Sequence, residues 1–118
     1  MSFQTEVKEF LNECFGEAVA SDKQNRSHRF FEEATELVQS CGMSKEECLM
    51  LVDYVYNRPV GELSQEIGGV MVTLAGLCSA FDENMQKSGN VELRRIWKKM
   101  DLIREKHKNK PEFSPLPE

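Results

Sequence analysis

The sequence predicts an all-α protein, a bundle of four to five helices. Three observations carry that prediction. Apolar residues recur at helical spacing through several stretches, as at Phe3, Val7, Phe10, Leu11 and Cys14. Helix start and stop signals stand between those stretches: Gly42, the capping box Ser44-Lys-Glu-Glu47, and Asn57-Arg58-Pro59. The 118 residues are 40% hydrophobic and 30% charged, which suits a single globular helical domain rather than two.

The first helix is read over residues 2–20. Residues 21–25 are a polar connection, and Asn25 or Ser27 offers a cap for a second helix over 26–41. In that helix Phe30, Ala34, Leu37 and Cys41 form an apolar stripe, with Glu33 at its border and Glu36 a turn later. Gly42 ends it. The third helix runs over 45–57, with Leu49, Val52, Val55 and Tyr56 on its buried side.

The fourth helix is read over 61–81, although Val70-Met71-Val72-Thr73-Leu74 alone also suits a strand. Glu62 and Glu66, four apart, stack on one face. Ile67, Val70, Met71, Leu74, Cys78 and Phe81 point to the core, and a helix this apolar belongs at a bundle centre or an oligomer interface. Gly68, Gly69 and Gly76 each cost about 1 kcal/mol relative to Ala, a cost that close approach of a helix or ligand would offset. Residues 82–89 read as a loop. Asn90 caps a fifth helix over 91–109, with Leu93, Ile96, Met100 and Ile103 along its seam. The helical domain spans 1–110, and 111–118 is an extended, proline-rich tail.

Net charge is −5, but residues 92–110 hold eight Lys/Arg against three Asp/Glu, so that stretch is +5 and the rest −10. An acidic body with one basic helix argues against nucleic-acid binding. Cys14, Cys41, Cys48 and Cys78 show neither C-x-x-C nor zinc spacing and read as reduced thiols of a cytoplasmic protein. The amino terminus has no apolar signal core. The run 67–80 is too short for a membrane span and is broken by glycine. No membrane partner is expected. His28 and His107 have no triad arrangement, and neither a P-loop nor a Rossmann glycine pattern occurs.

If the two acidic helices pack side by side, three or four carboxylates converge and need a counter-charge. Mg²⁺, or Mn²⁺ in its place, answers that need with hard oxygen coordination. Glutamates facing inward from neighbouring helices are a known way to build such a site in a bundle.

Glu32–Glu36 (EEATE), followed by QEIGGVMVTLAGL from Gln65, resembles the paired acidic motifs of MazG-like nucleotide pyrophosphohydrolases, the all-α NTP pyrophosphatase group, particularly small phage and prophage forms. The resemblance covers about residues 29–99. The family pattern is E-x-x-E on one helix and E-x-x-D on the next. Glu33 and Glu36 match the first, and Glu66 begins the second, but Gly69 stands where the Asp would be.

The resemblance implies hydrolysis of a nucleoside triphosphate to monophosphate and pyrophosphate, by a homodimer or dimer of dimers. It implies Glu33, Glu36 and Glu66 as catalytic metal ligands. Glu62 is a replacement for the missing Asp, directly or through water, and Asp53 an alternative. Glu32 reads as a carboxylate that orients the ligands or takes the attacking water's proton, or as plain surface. On the last helix Lys99 fits the lysine of the family's N-x-K motif while Trp97 replaces its Asn. Arg95 and Lys99 suit phosphates. Trp97 suits a base, or the core. The alternative is an impaired MazG-like domain that binds a nucleotide or protein without hydrolysis.

Overall fold

The computed structural model describes residues 1–109. It is all-helical: α1 Phe3–Phe15, α2 Glu17–Ala20, α3 Lys23–Ser40, α4 Lys45–Tyr56, α5 Leu63–Ala80, α6 Met85–Lys98 and α7 Met100–Asn109. No strand occurs among the described residues, and the ambiguous Val70–Leu74 stretch is helix. The tail reading falls on residues outside those described.

Among the described residues seven helices replace four or five because two expected helices break. The first breaks at Gly16, whose φ of 84° lies where a side chain is disfavoured. The last breaks at Lys99, whose N–H bonds back to Ile96 O at 3.1 Å in a tightened turn. Two caps also differ from expectation. Asp22, not Asn25 or Ser27, caps α3: its Oδ1 accepts the Asn25 N–H at 3.1 Å. Asn84, not Asn90, caps α6, accepting the Lys87 N–H at 2.8 Å. Most of the expected 82–89 loop is therefore helix.

The chain divides into two compact units. The first joins Met1–Val38 to the chain from Asn90 onward. Its core is Phe10, Cys14 and Leu93, ringed by Val7, Leu11, Phe15, Ile96, Met100 and Ile103. These are the 3–4 spaced apolar positions of α1, α6 and α7, so burying them joins the first described helix to the last two. Trp97 meets Phe10 edge-on, with ring centroids 5.3 Å apart and planes at 83°. Arg104 of α7 donates to the Cys14 and Glu13 carbonyls at 2.9 and 2.8 Å, satisfying two orphan acceptors at the α1 C-terminus. His107 packs against the Phe15 ring.

The second unit is Gln39–Gly89. Its α4 starts at the expected capping box: Ser44 Oγ accepts from Glu47 N at 3.1 Å and Glu47 Oε1 from Ser44 N at 2.8 Å. Gly42 before it sits at φ 91°, the left-handed position at which α3 stops. The apolar stripe of α5 is not a core. Ile67 is 54% exposed, Val70 41%, Met71 60% and Phe81 53%. On α4, Leu49 and Val55 are exposed as well. The α3 stripe behaves likewise at Phe30 and Leu37. By length and composition alone α5 is long and apolar enough to cross a membrane, with a mean hydropathy of 1.2 over its 18 residues, a test that a core helix of a soluble protein also passes.

Candidate functional site

The first acidic pair lies on α3 in the first unit. Glu33 and Glu36 are exposed. Arg26 and Arg29 precede them, and the spacing of three, four and three residues puts all four side chains on one face. Glu32 lies beside that face, half-buried, with Oε1 3.4 Å from Arg29 Nη1.

Arg95 of α6 belongs to the same electrostatic neighbourhood. Its guanidinium grips Glu92 with both edges: Nε to Oε1 at 2.8 Å and Nη2 to Oε2 at 2.7 Å. This bond, with a smaller contribution from the Glu33 carboxylate, holds the Arg95 guanidinium above its ordinary pKa. The same bond keeps the Glu92 carboxyl below the usual carboxylate range. Any phosphate role for Arg95 thus competes with Glu92.

Lys99 is exposed in the turn between α6 and α7. Trp97 is partly packed and partly open. One edge meets Phe10, and 41% of it is exposed. It lines a groove of about 210 Å³ with Glu6, Glu9, Asn90 and Arg94. That is below the roughly 300–1,000 Å³ typical of small-molecule pockets.

The second acidic pair opens α5 in the second unit. Glu62 is its N-cap, and Oε2 accepts the Gln65 N–H at 2.9 Å. One of its two oxygens is therefore committed to the helix. Glu66 leans toward the helix N-terminus, as helical side chains do, until its carboxylate covers Gly61. A Cβ on Gly61 would overlap that carboxylate, so a side chain there would turn the exposed end of Glu66 aside. Asp53 is an exposed side chain of α4 in the same unit.

Gly68, Gly69 and Gly76 meet nothing within 4 Å of a built Cβ, so no helix approaches them among the described residues. The close approach expected for them is absent there. At Gly69 an added side chain enters open space.

No family model, curated protein or solved structure matches this chain. What remains is the chemistry of its own residues.

Each unit supplies one pair of carboxylates: Glu33 and Glu36 in the first, Glu62 and Glu66 in the second. Among the described residues no group of three or more His, Cys, Asp or Glu is arranged around a metal position. The four cysteines are free thiols. Burial pushes the Cys14 thiol up, partly offset by the Arg104 charge.

Sequence reasoning passed over Arg26 and Arg29. The signal was there in R-x-x-R set one turn ahead of E-x-x-E. Charge counting hid it, because the basic stretch at the C-terminus dominates the tally.

Proposed function

We propose that the protein is a metal-dependent nucleoside triphosphate pyrophosphohydrolase of MazG type, cytoplasmic and acting as a homodimer or dimer of dimers. The observation that carries the reading is the pairing of carboxylates at helical spacing, Glu33 with Glu36 and Glu62 with Glu66. Two features support it: the Glu66 carboxylate lies back over Gly61 at the start of α5, and Arg95 feels the charge of Glu33. Bound Mg²⁺ supplies charge neutralisation at phosphate and lowers the pKa of water. The chain's own residues then have distinct work. Glu33, Glu36 and Glu66 bring oxygen donors, and Glu62 offers the oxygen its cap leaves over. Glu32 and Asp53 sit beside the pairs as proton acceptors or orienting groups. Arg95 and Lys99 meet phosphate charge, and the exposed edge of Trp97 takes a base.

The exposed stripe of α5 supports the oligomer. An apolar surface running along a whole helix marks an interaction site. A second copy supplies the same stripe and closes the interface by symmetry.

Pyrophosphate release from a panel of canonical and modified triphosphates tests the activity, with Mg²⁺ or Mn²⁺ and with chelator. Metal-dependent monophosphate and pyrophosphate are the expected products. The second reading, a binding module without turnover, is favoured by Gly69, which removes one carboxylate of the family pattern. That reading predicts nucleotide binding with no products from any substrate.

A further inference from the structure

Two half-buried arginines of α3 stand together in the first unit. Arg26 and Arg29 are three residues apart on one face, so like charges face each other across a single turn. The Arg26 guanidinium is laid over the Phe15 ring, 5.6 Å from its centroid. The Nε–H groups of both arginines are shielded from solvent and have no acceptor among the described residues. Arg26 gives Nη2 to its neighbour Asn25, and Arg29 Nη1 lies 3.4 Å from Glu32 Oε1. Burial, and then the Arg29 charge, makes Arg26 less willing to hold its proton than a free arginine, with the Asp22 carboxylate offsetting part of the effect. Paired, repelling and short of acceptors, the two cations suit an oxyanion, which brings opposite charge and several acceptor oxygens at once.

The setting narrows which oxyanion. One turn, about 6 Å, separates Arg29 from Glu33 along the helix axis. The four residues 26, 29, 33 and 36 thus make one stripe, basic toward the N-terminus and acidic toward the C-terminus. A polyphosphate running along it would meet carboxylate-bound metal at one end and guanidinium at the other. We propose that Arg26 and Arg29 form a polyphosphate-binding subsite that receives the terminal phosphates of the substrate, which depart as pyrophosphate. Assigning the anion to a substrate's terminal phosphates rests on the pyrophosphohydrolase reading. The anion subsite itself does not.

The test is binding of inorganic pyrophosphate to the full chain in EDTA, followed by titration calorimetry. Wild type binds, and Arg29→Gln and Arg26→Gln each weaken binding tenfold or more. Arg29→Lys falls between them and wild type, since it keeps charge but loses the fork. Lys45→Gln, on the second unit, binds as wild type does. Circular dichroism checks folding, and if Arg26→Gln unfolds through loss of its Phe15 contact, Arg29→Gln decides alone. No pyrophosphate binding by wild type, or equal binding by a folded Arg29→Gln, overturns the proposal. Arginine-dependent binding in a chain that hydrolyses no triphosphate upholds the subsite and refutes the hydrolase.

Discussion

Replacing Met71 by Gln tests whether the α5 stripe holds two copies together. Met71 shares its face with Ile67, Val70, Leu74 and Cys78 and is 60% exposed. Gln has nearly the same length and helix propensity, so α5 itself is unaffected. Fully burying a methionine is worth roughly 1.5–3 kcal/mol. With 60% still exposed, burial in an interface returns about 1–2 kcal/mol per copy. A two-fold interface uses the residue twice, giving about 2–4 kcal/mol. At about 1.4 kcal/mol per decade, dimer dissociation should rise roughly 30- to 700-fold. Sedimentation equilibrium across a dilution series reads this directly. A wild-type chain that is monomeric at every concentration, or a variant that dissociates like wild type, refutes the reasoning.

Other perturbations probe the two units. Phe10→Ala removes the most buried side chain of a three-residue core and should cost about 3–5 kcal/mol in urea unfolding followed by Trp97 fluorescence. Ser44→Ala breaks the capping box and should cost about 1 kcal/mol, read by thermal denaturation. Backbone and side-chain hydrogen bonds with Ser44 hold the Glu47 carboxyl below its ordinary pKa, and Arg95 does the same for Glu92. Both groups therefore add stability that is present above the unfolded carboxyl pKa, about 4.3, and is lost as pH falls through the lowered folded values. Glu47→Gln with Glu92→Gln should flatten that acid limb in melts between about pH 5 and pH 2, and an unchanged limb would contradict it.

The helices were legible where the chain states its signals locally. The Ser44 capping box, the Gly42 stop and the seam Leu93, Ile96, Met100, Ile103 each depend on a few neighbouring residues. The break at Gly16 was missed because the apolar period continues across it at Val19. Asn84 was missed as a cap because the polar residues after it have no period to announce a helix. Burial was the least legible property. Periodicity shows that Ile67, Val70 and Met71 share a face, yet it does not say whether the cover is this chain or another copy. At the candidate site the carboxylate pairs follow from spacing alone. The commitment of Arg95 to Glu92, the capping by Glu62 and the fold of Glu66 over Gly61 depend on side-chain direction, which spacing does not encode.

The proposed reaction is metal-dependent hydrolysis between the α and β phosphates. The measurement that tests it most directly is product analysis of triphosphate turnover by wild type, Glu36→Gln and Glu66→Gln, each with Mg²⁺ and with chelator. Monophosphate and pyrophosphate should form with wild type only when metal is present. Each variant should lose more than the roughly 10- to 100-fold that removal of an outer partner of a metal site costs. Turnover unchanged in both folded variants, or no products from any triphosphate with wild type, would contradict the account.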